Sequence, residues 1–210
     1  MDAVDVRIHL LVGARFGRGA VDQALKAAGA RVEQVDVSDA QSIAALARTL
    51  KGVKNGMLVN NAAISDFFAV SSEPKTSLDR MFSINTFGAV NMIREFLPHL
   101  QQSRGRVVNI SSESIRAPAP FNPYAASKTA LEALSVIMRN ELALKNIKLV
   151  IIRPGAIATP FLDDLYQYKK RIGEGPFKHN LHRFAEQAPK QVRRIAKPEK
   201  VADVVIRALS

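Results

Sequence analysis

A tyrosine and a lysine with the spacing for proton transfer stand at Tyr124 and Lys128. Residues four apart share one face of a helix, so a helical segment would put the ammonium beside the phenol. A neighbouring positive charge favours the phenolate and lowers the pKa of a tyrosine, which then donates or accepts a proton near neutral pH. The pair predicts acid–base chemistry, although the same spacing also occurs on ordinary exposed helix surfaces.

Two serines end an apolar run twelve residues before the tyrosine. Ser111 and Ser112 follow the run 106–110, which reads as a buried strand. Ligands of open α/β sheets bind beyond the carboxyl ends of the strands, so a hydroxyl there could hold a substrate oxygen. The structural alternative is a serine that caps a helix or a loop.

Three asparagines are further candidates for a site, two at the end of an apolar run and one inside a helical pattern. Asn60 and Asn61 end another apolar run, and Asn85 lies inside a long helical pattern. Asparagine is mildly unfavourable in a helix interior, so Asn85 is a candidate for a site. A satisfied buried amide is the alternative for these residues.

A glycine-rich turn supplies a candidate phosphate loop. Gly13, Gly17 and Gly19 follow the apolar run 7–12 and precede the helical stretch 21–28. Glycines allow a tight turn and close approach of the backbone to a pyrophosphate, and the helix N-terminus adds N–H donors. A lone glycine pattern is weak evidence, because ordinary strand-to-helix turns share it.

The elements that must position these residues alternate along the chain. Apolar runs separated by amphipathic stretches are typical of a parallel sheet with helices on both faces. The predicted strands are 7–12, 31–37, 57–59, 106–110 and 147–152, and the predicted helices are 21–28, 39–50, 77–100, 125–144 and 201–209. We expect a single domain over residues 1–210, with a substrate lid at about 161–194.

Composition excludes several classes of function. The 210 residues include no cysteine, so a disulfide framework, a thiolate metal site and a cysteine nucleophile are all excluded. The formal net charge is +11, but aromatic residues make up only 6% and tryptophan is absent, so we expect no nucleic-acid binding. His179 and His182 have no nearby ligand set, which argues against a metal. No apolar run is long enough for a bilayer and the N-terminus is acidic, so we expect a cytoplasmic protein without membrane contact.

Taken together, the order and spacing of these motifs resemble the classical short-chain dehydrogenase/reductase (SDR) family. The resemblance runs from about Arg7 to Pro160 and again over 198–209. It implies an α/β, Rossmann-like, doubly wound parallel sheet flanked by helices. It also implies an NAD(P)-dependent oxidoreductase that transfers a hydride between the cofactor and a small alcohol or carbonyl compound.

The resemblance also assigns catalytic roles. Tyr124 would be the general acid or base, and Lys128 would lower its pKa and hold the nicotinamide ribose. Ser112 would position the substrate oxygen, with Ser111 as the alternative, because the loop to Tyr124 is about one residue shorter than usual. Asn85 would support a water-linked proton relay through Lys128.

Further positions would bind the cofactor by the same resemblance. Three glycines would cradle the pyrophosphate, and the residues after the strands would line the adenosine and nicotinamide sides. The expected cofactor-binding residues are Gly13, Arg15, Gly17, Gly19, Asp36, Asn61, Ala62, Ala63, Tyr124, Lys128, Pro154, Gly155, Ile157 and Thr159.

The choice between NAD and NADP depends on Asp36. Counted from Gly13, it ends the second strand, where a carboxylate bonds the ribose hydroxyls and repels a 2′-phosphate. By local pattern it ends the family's third strand and faces adenine instead. Arg15 and Arg18 in the glycine loop could meet a 2′-phosphate. We expect NAD or NADP, with NAD preferred.

The chain departs from the family pattern in several places. Val12 replaces a usual threonine and Ala63 a common glycine, and the part before Asn60 is shorter by about one helix and one strand. The family's last strand also has no counterpart, so we expect a reduced sheet of about five strands. A shortened adenosine side leaves a non-catalytic cofactor-binding or scaffold protein as the alternative function.

Two properties of the whole protein follow less directly. Apolar residues near the lid are consistent with an apolar substrate or with simple packing: Phe161, Leu162, Leu165, Tyr166 and Phe184. By resemblance to the family, in which two long helices beside the site commonly pair between subunits, we expect a homodimer or homotetramer.

Overall fold

Strands and helices alternate along the chain in the structure, a computed structural model that describes residues 23, 25–27, 29–50, 56–192 and 194–210. The helices are α1 (Ala40–Thr49), α2 (Lys75–Phe82), α3 (Gly88–Ser103), α4 (Pro123–Ala143), α5 (Pro160–Tyr166), α6 (Lys178–Gln191) and α7 (Pro198–Leu209). The strands are β1 (Met57–Asn60), β2 (Arg106–Ile110), β3 (Lys148–Ile152), β4 (Ala156–Ile157) and β5 (Ile195–Ala196). A π-helical turn, Ser83–Phe87, joins α2 to α3, and two 3₁₀ turns are formed by Glu113–Arg116 and Gln167–Arg171.

The central sheet has the order β1-β2-β3, with all three strands parallel. Leu58, Val107 and Leu149 are in register across it and enter the larger core cluster. That cluster also contains buried side chains of α1, α3 and α4: Ile43, Leu46, Ala47, Met92, Ile93, Phe96, Leu100 and Leu142. Successive strand residues point to opposite faces, and a second cluster on the other face contains Val59, Val108, Val150, Val205, Ala208 and Leu209.

Helices therefore cover both faces of a parallel sheet, and the expected Rossmann-like α/β class with few strands is confirmed. The predicted first strand, 7–12, lies outside the described residues. The predicted second strand, 31–37, is wrong within the described part of the chain, because residues 31–36 form no ladder there and Val37 belongs to a turn. Val35 is nevertheless buried in the larger core, which explains its apolar pattern.

Local capping fixes the helix boundaries near the sheet. Gly29 has a φ of 82°, and its N–H bonds to the carbonyl of Lys26, so the predicted helix stop is confirmed. The Asp39 side chain accepts from the N–H of Gln41 and caps α1. The helix predicted over 77–100 is interrupted by the π-helical turn 83–87, a local irregularity of the kind that is common at functional sites.

The segment predicted as a lid leaves and rejoins the fold at one place. β4 and β5 pair in parallel, with Ala156 opposite Ile195 and Ile157 opposite Ala196. The N–H of Ala158 also donates to the carbonyl of Ala196. Residues 158–194 are thus an excursion whose two ends are tied together.

Gly105 provides a direct test of the close approach between the residues that precede β1 and β2. A Cβ at Gly105 would lie 2.1 Å from the carbonyl oxygen of Gly56, whereas a Cβ at Gly173 would meet nothing within 4 Å. Because a backbone atom must move to make room, we expect Gly105→Ala to lower the free energy of unfolding by about 1–3 kcal/mol. Urea denaturation gives the measurement.

Gly173→Ala is the matched control and should change the free energy of unfolding by less than about 0.5 kcal/mol. Equal stability of the two variants would contradict the close approach of Gly105 to Gly56.

Candidate active site

The candidate site lies where the carboxyl ends of β1, β2 and β3 meet the first turns of α4. Pro123 is the first residue of α4, a position where its missing N–H and fixed φ are tolerated. Tyr124 follows in the first turn and Lys128 lies one turn later. The predicted helix therefore carries both residues on one face.

Tyr124, Ser112 and Lys128 are brought together. The Ser112 side chain lies near enough to the Tyr124 phenol to lower its pKa. Lys128 Nζ lies 5.7 Å from the centroid of the Tyr124 ring and donates to the Ile110 carbonyl oxygen at 2.8 Å. The three side chains thus share the end of β2.

Burial controls the acidity of this pair. Burial raises the pKa of Tyr124 to about 12, although the nearby Ser112 acts in the opposite direction. Burial lowers the pKa of Lys128 to about 8. The predicted lowering of the Tyr124 pKa is therefore corrected: desolvation of the phenolate outweighs the lowering effect of Ser112.

The two serines have different surroundings. Ser112 Oγ accepts from the N–H of Ser114 at 3.1 Å, so the residue also caps the 3₁₀ turn. Ser111 is buried, and its Oγ donates to Glu132 Oε1 at 2.5 Å. The serine beside the phenol is Ser112, and Ser111 contacts a carboxylate instead.

Asn85 lies in the π-helical turn and is 1% exposed. Its Oδ1 accepts from the N–H of Ile64, and its Nδ2 donates to the Ile64 carbonyl and to Ser127 Oγ. Both amide hydrogens are used in these bonds. Asn85 therefore ties the segment after β1 to α4, and its role in a proton relay stays a prediction.

The loops after the strands hold most of the remaining predicted residues. Asn61, Ala62 and Ala63 follow β1, Pro154 and Gly155 follow β3, Ile157 is in β4, and Thr159 precedes α5. Since the strands are in parallel register, these loops emerge side by side with the one that holds Ser112. A Cβ on Gly155 would meet nothing within 4 Å, so space lies open there. This space and the nearby amide, hydroxyl and ammonium donors fit the nicotinamide side of a dinucleotide.

The adenosine side is described only in part. Gly13, Arg15, Gly17, Arg18 and Gly19 lie outside the described residues. Asp36 is exposed, and its Oδ1 accepts from the N–H and the hydroxyl of Ser38. These bonds orient the carboxylate just before α1.

An aromatic cluster beside the site was not predicted, apart from Phe161 and Phe184. The Phe67 ring packs edge-on against Tyr168 and Phe184, at centroid distances of 5.3 and 5.0 Å. Phe121 contacts Phe184 at 5.9 Å, and Phe161 lies 5.9 Å from the Tyr124 ring. The sequence signal that could have identified Phe67 and Phe121 was their position. Phe67 follows the loop after β1, and Phe121 precedes α4 by two residues.

A second missed feature is the ion pair between Glu132 and Arg153, with Arg153 Nη2 2.7 Å from Glu132 Oε2. Its signal was the spacing of Glu132, four residues after Lys128 on the same helix.

Neither a metal-binding cluster nor a membrane-spanning helix is present among the described residues. Among them, no group of three or more histidine, aspartate or glutamate side chains could hold a metal ion. None of the helices in the described part of the chain has both the length and the apolar character needed to cross a membrane.

Comparison with known proteins identifies relatives over most of the chain. Retinol dehydrogenase 5 of Mus musculus is 33% identical over 160 residues, covering 72% of this chain and 50% of that protein. Short-chain dehydrogenase virD of Hypocrea virens is 30% identical over 185 residues, covering 84% of this chain and 64% of that protein. The chain thus spans about half to two thirds of the length of these relatives.

A solved structure and a family profile agree with these relatives. The crystal structure of a short-chain dehydrogenase from Streptomyces avermitilis superposes with a TM-score of 0.76 at 27% identity, covering 96% of this chain and 74% of that one. The profile of the short chain dehydrogenase family matches residues 7–170, which include the sheet, the Ser112–Tyr124–Lys128 group and the start of the excursion. The chain belongs to the short-chain dehydrogenase family.

Proposed function

We propose that the chain is an NAD(P)-dependent oxidoreductase that interconverts a small alcohol and the corresponding carbonyl compound. The observation that carries this proposal is the placement of the Ser112, Tyr124 and Lys128 side chains together at the end of β2. A phenol, a hydroxyl and an ammonium gathered at the ends of parallel strands have the chemistry for proton transfer to a substrate oxygen. The relatives named above are dehydrogenases by name, which supports the same class of reaction.

In the proposed mechanism, Tyr124 exchanges a proton with the substrate oxygen. In the reductive direction its O–H donates to the carbonyl oxygen, and a pKa of about 12 keeps the phenol protonated at neutral pH. In the oxidative direction the phenolate takes the proton of the alcohol, which requires the pKa to fall. Ser112 would orient the same substrate oxygen, and the Lys128 ammonium would favour the phenolate.

A nicotinamide dinucleotide, when bound, supplies or accepts the hydride. We assign its nicotinamide side to Pro154, Gly155, Ile157 and Thr159, its ribose to Lys128 with Tyr124, and its adenosine side to Asn61, Ala62 and Ala63. Asp36 would bond the ribose hydroxyls of NAD, whereas Arg15 and Arg18 would meet the 2′-phosphate of NADP. Gly13, Gly17 and Gly19 would receive the pyrophosphate.

Residues 161–194 of the excursion would form the substrate lid of a single domain. Phe161 lies near the Tyr124 ring, and the aromatic cluster of Phe67, Phe121, Tyr168 and Phe184 packs beside it. Apolar walls around a few polar groups are typical of sites for small molecules. This lining favours an apolar alcohol or carbonyl substrate.

An exposed apolar surface supports the homo-oligomer that the sequence suggests. Val136 and Ile137 on α4 are 51% and 55% exposed, and Phe87 beside α3 is 51% exposed. A cavity of about 500 Å³ adjoins the same helix face and is lined mainly by apolar groups, among them Val70 and Ala133. Exposed apolar surface of this kind is typical of protein interfaces, and a two-fold dimer is the commonest arrangement.

Removal of the phenol hydroxyl tests the proposed reaction. With NADH or NADPH and a panel of apolar aldehydes and ketones, Tyr124→Phe should lower kcat by about 10²- to 10⁴-fold. The reason is that phenylalanine has no proton to donate. Absorbance of the reduced cofactor at 340 nm gives the rate.

Titrations of the wild type and Tyr124→Phe with NADH and NADPH serve as the control. Both proteins should bind the same dinucleotide with similar affinity, and a preference for NADH would assign Asp36 to the ribose. Full turnover by Tyr124→Phe would refute the role of the phenol. Binding of neither dinucleotide would favour the non-catalytic alternative.

The buried ammonium gives a pH-dependent test. The folded protein binds the Lys128 proton with a pKa of about 8, against 10.5 for an ordinary lysine, so the unfolded chain holds more protons between these values. Stability contributed by this group therefore rises with pH in that window. We expect the difference in unfolding free energy between wild type and Lys128→Met to increase by about 2–3 kcal/mol from pH 8 to pH 10.

Lys145→Met, at an exposed position just after α4, is the matched control for urea unfolding at both pH values. A wild-type advantage over Lys128→Met that stays constant with pH would show that the ammonium is not desolvated.

Charges on the exposed face of α4 test the oligomer. Val136→Glu with Ile137→Lys should convert a dimer or tetramer into a monomer in sedimentation velocity, because charged side chains resist burial. Lys145→Glu, outside this apolar surface, should leave the assembly intact. A wild type that sediments as a monomer at every concentration would refute the interface.

A further inference from the structure

A carboxylate that the mechanism above does not use lies one helical turn beyond Lys128. The Glu132 side chain is on the same face of α4 and is 11% exposed. Buried carboxylates require compensating donors, since an unpaired charge in the interior is strongly unfavourable. The donors that Glu132 receives come from the two loops that flank the site.

Three hydrogen bonds converge on this carboxylate. Ser111 Oγ donates to Oε1 at 2.5 Å, and Arg153 donates from Nε to Oε1 and from Nη2 to Oε2, both at 2.7 Å. The two bonds from Arg153 form a bidentate fork, which fixes the orientation of the Glu132 carboxylate as well as its distance from the guanidinium. Glu132 thus links α4 to the ends of both β2 and β3.

The linked residues are direct neighbours of the site. Ser111 precedes Ser112, the neighbour of the Tyr124 phenol, and Arg153 precedes Pro154. The two loops also bond to each other, since Ser111 N–H donates to the Ile152 carbonyl and Glu113 N–H to the Pro154 carbonyl. A displacement of Ser111 is therefore transmitted to Ser112.

The surrounding charges keep this carboxylate ionised. Burial alone would raise the pKa of Glu132, but the hydrogen bonds from Arg153 and Ser111 and the charges of Arg153 and Arg116 lower it. Glu113 and Arg116 belong to the 3₁₀ turn after β2, and Lys128 is on α4 itself. Cations from both flanking loops therefore face the group.

We propose that Glu132 is a positioning residue for the reaction, whose carboxylate holds Ser112 against Tyr124 by binding Ser111 and Arg153. This inference rests on the proposed function, because the position of Ser112 matters for turnover only if Tyr124 exchanges a proton. Glu132 itself does not touch the phenol; it acts through the two loops. The Arg153 side chain is 40% exposed, and an ion pair open to solvent adds little net stability, so geometry is the property it most directly controls.

Turnover measurements on Glu132→Gln and Glu132→Ala test this role. Loss of alignment should lower kcat by about 10- to 100-fold, with KM changed by less than about threefold. Ser112 lowers the pKa of Tyr124, so its displacement should shift the pH profile of alcohol oxidation toward alkaline pH. Glu141→Ala, an exposed glutamate on the same helix, is the matched control and should behave as wild type.

Arg153→Ala and the double variant with Glu132→Ala test whether the two residues act together. If Glu132 works through Arg153, the combined loss in kcat should be clearly smaller than the product of the two single losses. Arg153→Lys keeps the charge but lacks the fork, so it should restore only part of the rate. Independent, multiplicative losses would overturn the proposed coupling.

A measurement without substrate or cofactor separates this inference from the proposed function. The chain has three tyrosines, so ¹³Cζ-tyrosine NMR gives three signals, and Tyr124→Phe identifies the one of interest. That signal should move in Glu132→Gln and Glu132→Ala, because the position of Ser112 beside the phenol changes, and stay fixed in Glu141→Ala. A fixed signal with unchanged kcat would overturn the inference.

Folding of each variant is checked by thermal melting. If Glu132→Ala does not fold, Glu132→Gln, which preserves the size of the side chain, decides the question. The Tyr124 signal could respond to Glu132→Gln although the wild type has no turnover with any substrate of the panel. That result would refute the proposed function and support the positional role of Glu132.

Discussion

The ammonium of Lys128 is buried at the end of β2, where it donates to the Ile110 carbonyl. A charged group in such a place fixes the helix that carries it, because a shift of α4 by one residue would leave the ammonium without its acceptor. Tyr124 lies one turn earlier on that helix, so its phenol is aimed at the loop that follows β2. The position of the candidate site is therefore set by one contact between a helix and a strand end.

Other polar side chains also link the sheet and the π-helical turn to α4. Asn60 donates to Asn109, and Asn109 donates to Ser135 on α4. Thr86 donates to the Ser127 carbonyl, which ties the π-helical turn to the same helix. Each of these side chains is satisfied by a partner on another element, so the polar groups specify how the layers align.

The sequence was sufficient for the parts of the fold that depend on local periodicity. Apolar runs predicted β1, β2 and β3, and Tyr124 with Lys128 was expected on one helix face, which the bounds of α4 confirm. The sequence was insufficient where contacts between distant segments determine the local structure. The segment 31–37 has the pattern of a strand but forms no ladder among the described residues, and Asn85 lies in a π-helical turn that no periodicity indicates. The acidity of Tyr124 was also mispredicted, because spacing shows which charges are near but not how much water is removed.

The paired strands β4 and β5 have a consequence for how such a protein can change. Their ladder closes the excursion at its base, so residues 158–194 begin and end at adjacent points on a finished scaffold. Insertions are best tolerated where both ends of a segment are anchored close together, since closure then costs little and the core is undisturbed. The excursion could therefore be replaced by a segment of different length or composition. Such a replacement would change the side chains near Tyr124 while the strand ends keep their geometry. Under the proposed function, substrate preference could change in this way while Ser112, Tyr124 and Lys128 keep their positions.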